Sequence, residues 1–173
     1  MAEEFPKETL EKIWAPWRVE YYRNEHHSRE DFLTIAAASS DDAAHLVLCR
    51  RKNSFLILNK YPYTAGHMMA VPYMKTSEMG ELSGEAVIEL WQLVVDAQRL
   101  LKECVKAQGF NVGWNLGEAA GAGVVDHLHI HIVPRWVGDS NFMPVLASTR
   151  ILPEALKPLY ERLLESKAKL GIN

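Results

Sequence analysis

The stretch His127-Leu-His-Ile-His-Ile-Val133 decides the fold. Histidines and apolar residues alternate strictly in it, and successive side chains of a β-strand point to opposite faces of a sheet. The alternation therefore predicts a strand over residues 127–133. One face of this strand carries His127, His129 and His131. The other face carries the apolar side chains that would pack into a core, Leu128, Ile130 and Ile132.

A strand face built only of imidazoles is unusual, because Lys, Glu or Thr would serve a solvent-facing strand equally well. Neighbouring imidazoles offer alternating hydrogen-bond donors and acceptors, and they gain a proton near neutral pH. Both properties suit an attacking nitrogen whose tautomer is fixed by a partner. Metal ligation is the main alternative, since imidazole is a common zinc ligand. A purely structural role is the other.

The segment just before the histidines favours nucleophilic chemistry. Gly117-Glu-Ala-Ala-Gly-Ala-Gly123 has little side-chain bulk, so its backbone N–H groups could cradle phosphate oxygens. A glycine-rich loop alone is more often a flexible turn. Next to a histidine strand, however, it is a plausible oxyanion site and favours nucleotidyl transfer over metal ligation.

The remaining pattern predicts an α+β fold. Further strands are predicted where apolar and β-branched residues cluster, at 45–50, 54–59, 67–71 and 110–116, with a turn at 61–66. Apolar residues recur at three- and four-residue intervals over 83–107, which predicts a long helix with Gly109 as its C-cap. A C-terminal helix is predicted at 153–169, although Pro158 weakens its first turns. Short connections favour an antiparallel sheet of about five strands.

The length of 173 residues fits a single domain. We divide it into an aromatic arm and loop at 1–44, a core at 45–152 and a C-terminal helix at 153–173. The net charge of −3 does not indicate a polynucleotide partner. The start of the chain has no apolar run typical of a signal peptide. No stretch approaches the length of a membrane span. Two distant cysteines match no pair motif, so the expected location is the cytoplasm.

Residues 127–133 resemble, at every position, the signature of the histidine triad (HIT) family, His-φ-His-φ-His-φ-φ with φ apolar. Ile57-Leu-Asn59 and Gly66-His67-Met-Met-Ala-Val-Pro72 are similar to the family's first nucleotide-binding segment. Asn115-Leu-Gly117 and Ala120-Gly-Ala-Gly-Val-Val-Asp-His127 are similar to its phosphate loop. Residues 14–18 and 134–144 resemble the bacterial branch of diadenosine tetraphosphate phosphorylases, or ATP adenylyltransferases. The resemblance implies a HIT-like fold and a nucleotide hydrolase or nucleotidyltransferase.

The resemblance also implies catalytic roles. His129 matches the nucleophile that attacks an α-phosphate and forms a covalent nucleotidyl-histidine. His127, when protonated, would contact the bridging or leaving oxygen. His131 would hold the nucleotide or orient the neighbouring imidazole. His67 matches a fourth histidine that completes a proton relay.

Nucleotide contacts follow in the same way. Asn59 matches a ribose-hydroxyl contact, and Ile57 and Met69 match apolar walls around the base. For these two apolar residues an ordinary core position is the alternative. The phosphate loop would contribute Asn115, Gly121, Ala122 and Gly123. The resemblance implies adenine as the default base. Base preference stays open, because an apolar slot discriminates poorly among purines.

The sequence departs from the family at two places. Many members bind a structural zinc through two cysteines and a histidine, but Glu30-Asp-Phe-Leu-Thr34 has no cysteine and Lys75 follows Val71-Pro-Tyr-Met74. We predict no structural zinc and no metal among the site residues. The motif requires no cofactor, and Mg²⁺ is compatible as the counter-ion of a polyphosphate. The loop also lacks the Ser or Gln of some members, which leaves the acceptor open between water and phosphate.

The sequence therefore leaves four functions open. The leading one is cleavage of dinucleoside polyphosphates or related AMP esters. The alternatives are an AMP-phosphoramidase, a nucleotide-binding protein with little turnover, and metal storage or sensing through the histidines. The resemblance further implies a homodimer, to which the aromatic arm could contribute. Asp126, next to the triad, is expected to pair with a loop or a nearby arginine.

Overall fold

The computed structural model describes residues 32–139 and 155–172. Residues 1–31 of the predicted aromatic arm and loop, and residues 140–144 of the 134–144 motif, lie outside the described residues. The elements follow in chain order: α1 (Phe32–Ala38), α2 (Asp42–His45), β1 (Val47–Arg50), β2 (Ser54–Leu58), β3 (Met68–Pro72), a 3-10 turn (Met79–Glu81), α3 (Gly84–Val105), β4 (Gly109–Trp114), a second 3-10 turn (Glu118–Ala120), β5 (Ile130–Arg135) and α4 (Leu156–Leu170).

The five strands form one antiparallel sheet in the order β1-β2-β3-β5-β4. The predicted α+β class, the antiparallel pairing and the long and C-terminal helices are confirmed. The triad strand β5 lies between β3 and β4, so His131 is opposite Met69 on one side and opposite Gly113 on the other.

The main core lies between one face of the sheet and helices α3 and α4. It contains the three apolar residues of the triad strand, Leu128, Ile130 and Ile132, as the alternation predicted. The long helix buries the residues that recur at its three- and four-residue spacing, among them Leu90, Leu93, Val94, Ala97 and Leu101. Helix α4 also contacts β1, where the Tyr160 hydroxyl donates a hydrogen bond of 2.8 Å to the Val47 carbonyl.

The predicted C-cap of the long helix was wrong. Helix α3 ends at Val105, and Lys106 takes the left-handed conformation with φ 53°. The Ala107 amide then returns to the Leu101 carbonyl at 3.2 Å, which satisfies an end carbonyl without a glycine. Gly109 instead opens β4. In α4, Pro158 lies in the first turn, where an amide hydrogen has no partner within the helix.

The triad strand begins later than predicted. Regular pairing starts at Ile130, opposite Ala70, rather than at His127. Beyond that point Pro72 has no amide hydrogen to donate, and its carbonyl accepts a hydrogen bond from the His127 ring instead of from a strand amide. The first predicted strand also begins later, at Val47, because His45 ends α2 and Leu46 is left-handed.

The opposite face of the sheet is covered by a helix that sequence reasoning missed. The sequence predicts a loop in the later part of 1–44, but α1 and α2 lie within residues 32–45. Leu33 and Ala36 of α1 are fully buried in a second core with residues of three strands: Val47, Phe55, Ile57, Met69 and Val71. A helix of seven residues is too short to be stable alone, so this burial stabilises it.

Arg50 fixes the end of that helix. Its Nη2 donates to the carbonyls of Ala36 and Ser39, both at 2.8 Å, and its Nε donates to Asp42 at 2.7 Å. The last carbonyls of a helix have no partner within it, so the guanidinium supplies the missing donors.

The turn before β3 needs a glycine. Gly66 has φ +84°, and a Cβ there would lie 2.7 Å from Cδ2 of Leu101. Both constraints exclude a side chain at the residue that precedes His67. Among the described helices, none combines the length and the apolar character that crossing a membrane requires.

We expect Arg50→Met to lower the free energy of unfolding by about 1–3 kcal/mol, because buried carbonyls of α1 lose charged donors. Urea unfolding at neutral pH measures the change. The matched control is Lys52→Met, since Lys52 pairs with Glu85 with both side chains largely exposed. Such a pair contributes about 0–1 kcal/mol. Equal losses in the two variants would contradict the anchoring role of Arg50.

Candidate active site

The four predicted histidines come together on the face of the sheet that α1 covers. His67, His127 and His129 are almost completely buried, and His131 is half-buried. The rings of His129 and His131 meet edge to face with centroids 4.7 Å apart. The rings of His67 and His131 are 5.1 Å apart. Alternation thus placed these side chains correctly, although regular strand pairing begins only at Ile130.

The backbone fixes the tautomer of His129. Its Nδ1 lies 2.8 Å from the carbonyl oxygen of His127. A carbonyl oxygen only accepts, so Nδ1 must carry the proton. The neutral ring then has its lone pair on Nε2, which is the state that a nitrogen nucleophile needs.

His127 is held from two sides. Its Nε2 donates to the Pro72 carbonyl at 2.8 Å, and its Nδ1 lies 3.4 Å from the Thr34 hydroxyl. Pro72 ends β3 and Thr34 lies on α1. The ring therefore ties the central strand to the covering helix.

His67 and His131 form a hydrogen-bonded pair with a defined direction. The Tyr63 amide donates to Nδ1 of His67 at 3.1 Å, so the His67 proton must be on Nε2. That Nε2 lies 3.0 Å from Nδ1 of His131 and donates to it. A neutral His131 then carries its own proton on Nε2.

Asn59 reinforces this direction. Its Oδ1 accepts from the Tyr61 amide at 2.8 Å, which orients the side-chain amide. Its Nδ2 then lies 3.2 Å from Nδ1 of His67 as a second donor. The side chain predicted to contact a ribose hydroxyl is therefore also part of the histidine pair.

His131 is held in its neutral form. Burial, and to a lesser extent the neighbouring His129, lowers the pKa of His131 from 6.5 to about 4. A proton would be disfavoured on this ring at any pH near neutrality.

Sequence reasoning missed two residues of the site. Tyr63 was assigned to a turn, but its ring lies against His67 and His131 with centroids 4.6 and 5.7 Å away. Thr34 was assigned to a loop, but α1 carries it to His127. No local pattern marks Thr34. For Tyr63 the available signal is that it is a second aromatic residue in the turn, two residues after Tyr61.

The predicted base walls lie in the second core. Ile57 and Met69 face each other across β2 and β3 and are 1% and 2% exposed. The structure therefore places them where the ordinary core interpretation put them, beneath α1. Contact with a base would require part of that helix to move.

The predicted phosphate loop is largely accessible. Gly121 and Ala122 are half-buried and Gly123 is exposed. Gly121 has φ +80°, a conformation that favours glycine, and its carbonyl accepts from the Asn115 side chain at 3.4 Å. Asn115 thus braces the loop, and Val124, which follows it, packs on the second core.

The residues near the histidines do not fit a structural zinc. Lys75 is a cation and forms a salt bridge of 2.9 Å with Asp126. Asp126 was predicted to pair with a loop or an arginine, and the observed partner is this lysine. Leu33 belongs to the segment compared with the zinc cysteines of other members, and it is buried among apolar side chains. Cys49 lies in the main core on the opposite face of the sheet. Within 32–139 and 155–172, no three His, Cys, Asp or Glu side chains form a group that could hold a metal ion. The absence of zinc stays a prediction.

Comparison with known proteins agrees with this geometry. Residues 41–137 match the HIT domain. An AP-4-A phosphorylase of Mycobacterium tuberculosis is 35% identical over 158 residues, which cover 87% of this chain and 81% of that protein. The chain therefore belongs to the HIT family.

Two further similarities come from a yeast enzyme and a solved structure. An adenosine 5'-monophosphoramidase of Schizosaccharomyces pombe is 30% identical over 116 residues, covering 67% of this chain and 83% of that one. A hypothetical histidine triad nucleotide-binding protein of Sulfolobus tokodaii superposes with a TM-score of 0.60 at 29% identity, covering 73% of this chain and 85% of that one. The chain is a HIT-family enzyme of the nucleotide hydrolase or nucleotidyltransferase class.

Nuclear magnetic resonance of labelled histidines should show His131 neutral from pH 5 to 8, with a pKa of about 4. In urea its pKa should return to about 6.5, the value of an unperturbed imidazole. Since the folded value is the lower one, this group makes folding stability fall as the pH drops from about 6.5 towards 4. A folded-state titration near pH 6.5 would contradict the burial argument.

Proposed function

We propose that this protein cleaves dinucleoside polyphosphates, or related AMP esters, at the α-phosphate through a covalent intermediate on His129. The observation that supports this best is the bond from Nδ1 of His129 to the His127 carbonyl, because it leaves Nε2 as a fixed nucleophile. A tautomer set by the backbone does not change when substrate arrives.

In the first step, Nε2 of His129 attacks the α-phosphorus. A P–N bond forms, and the P–O bond to the leaving nucleoside polyphosphate breaks. In the second step, an acceptor oxygen attacks the same phosphorus, breaks the P–N bond and gives its proton to solvent. Two displacements replace one difficult displacement, and each requires in-line positioning and charge stabilisation.

The neighbouring groups supply that stabilisation. The direction of the His67–His131 bond leaves the Nε2–H of His131 available to a non-bridging phosphate oxygen. His127 would contact the bridging or leaving oxygen. Backbone amides at Ala122 and Gly123 would hold the remaining phosphate oxygens. Gly121 would shape the loop, because its own amide donates to the Glu118 carbonyl at 2.9 Å and its carbonyl accepts from Asn115.

The substrate class is inferred from the M. tuberculosis relative, which is named an AP-4-A phosphorylase. We therefore place diadenosine tetraphosphate first, with adenine as the favoured base and Mg²⁺ as counter-ion of the polyphosphate. Either water or inorganic phosphate is compatible with the second step, since the loop relies on backbone donors.

A second candidate is hydrolysis of AMP from an amine. The S. pombe relative is named an adenosine 5'-monophosphoramidase and is 30% identical. The nucleophile would be the same, and only the leaving group would differ.

The decisive assay incubates the protein with diadenosine tetraphosphate, with and without inorganic phosphate, and resolves the products by chromatography. We expect ATP and ADP with phosphate if the acceptor is phosphate, and ATP and AMP without it if the acceptor is water. If neither product pair forms, the proposed substrate is contradicted. Release of AMP from an AMP-amine would then support the second candidate.

His129→Ala should lower turnover at least about 10³-fold, because loss of a nucleophile removes the covalent route. A matched control is His45→Ala, since His45 ends α2 and makes no contact in the histidine cluster. Mass spectrometry of quenched wild-type reactions should show one added AMP, absent from His129→Ala. An unchanged rate in His129→Ala would rule out the covalent role.

We further propose a homodimer formed through α3. Ile88, Trp91 and Val95 are 61%, 49% and 55% exposed, and their spacing places them on one face of this helix. An apolar stripe of this kind is uncommon on the surface of a monomer. A second copy could present the same stripe in a two-fold arrangement.

Trp91→Glu should convert the dimer into a monomer, because a carboxylate would be buried at the centre of the contact. Light scattering after gel filtration measures the mass. The control is Val137→Glu, at an isolated apolar residue that is 92% exposed. A monomeric wild-type protein, or a Trp91→Glu variant that stays dimeric, would contradict this interface.

A further inference from the structure

One residue contacts the histidine pair through both its backbone and its side chain. The Tyr63 amide donates to Nδ1 of His67 at 3.1 Å. The Tyr63 ring lies over His67 at 4.6 Å and over His131 at 5.7 Å, with interplanar angles of 34° and 35°. The ring is thus tilted towards both imidazoles and spans the hydrogen bond between them.

Tyr63, His67 and His131 differ in how far each residue is exposed to solvent. Tyr63 is 42% exposed, whereas His67 is fully buried and His131 is half-buried. The phenol ring therefore contacts both histidines and is itself exposed to solvent. The His67 backbone is held in place as well. Its amide donates to the Thr64 carbonyl, and its carbonyl accepts from the Asn59 amide.

We propose that Tyr63 is a positioning residue whose ring seals the hydrogen bond between His67 and His131 from water. The proposal rests on the proposed function only for its effect on turnover. Water at this bond could donate to Nδ1 of His131 or accept from Nε2 of His67, and either exchange would break the fixed direction of the pair.

Two physical effects of the ring oppose each other. An aromatic face attracts a cation, which would favour a protonated imidazole. Exclusion of water disfavours the same charged state. Burial is the largest cause of the lowered pKa of His131, and we expect the exclusion of water to be the larger of the two effects of the ring. Removing the ring should therefore raise this pKa.

The other groups around His131 do not change in this experiment. His129 lies on the same strand, His67 precedes β3, and β4 presents Gly113, which has no side chain. A shift on substitution of Tyr63 can thus be assigned to the ring.

The test compares Tyr63→Ala and Tyr63→Phe by nuclear magnetic resonance titration of His131. We expect a rise in pKa of about one unit or more in Tyr63→Ala, as water reaches a buried imidazole. Tyr63→Phe, which keeps the ring, should titrate like wild type. Tyr63→Gln provides a second open variant with the same expected rise. The backbone amide of residue 63 is present in all of them.

The acidic limb of the kcat/KM profile should move to higher pH in Tyr63→Ala, because a protonated His131 cannot accept from His67. The Tyr63→Phe profile should match wild type. An unchanged or lowered His131 pKa in Tyr63→Ala and Tyr63→Gln would overturn the proposal, and so would an equal shift in Tyr63→Phe. The titration needs no substrate, so a wild type without turnover would count against the proposed function alone.

Discussion

The antiparallel register between β3 and β5 determines how the histidines of the candidate site meet. Met69 is opposite His131, which brings His67, two residues before Met69, to 3.0 Å from the His131 ring. A slip of one residue would exchange the two faces of β5, burying imidazoles in the main core and exposing Ile130 and Ile132. The apolar contacts that fix the register therefore also assemble the site.

Backbone groups then decide which ring nitrogen carries each proton. The His127 carbonyl sets the tautomer of His129, and the Pro72 carbonyl sets the donor side of His127. The Tyr63 amide sets His67, and His67 in turn sets His131. A side-chain partner could rotate or titrate, but an amide or a carbonyl does neither. The lone pair on Nε2 of His129, which we propose as the nucleophile, is thus defined by the fold before any substrate binds.

The parts of this structure that sequence predicted are those encoded by local periodicity. Alternation at 127–133 gave both faces of the triad strand, and helical spacing gave α3. The parts it missed depend on contacts between distant residues: Thr34 meets His127 across 93 positions, and α1 is stable because strand residues bury Leu33. The C-cap failed for another reason, since Lys106 adopts a conformation in which glycine is the usual choice.

The two faces of the sheet have unequal tasks. The core beneath α3 and α4 contains most of the buried apolar residues, whereas the smaller core supports α1 over the histidines. Arg50 anchors the carbonyl end of α1, and Thr34 in the same helix reaches His127. Loss of that anchor would therefore act on the site as well as on stability. It would also loosen the cover over Ile57 and Met69, the residues that a base could reach only if α1 moved.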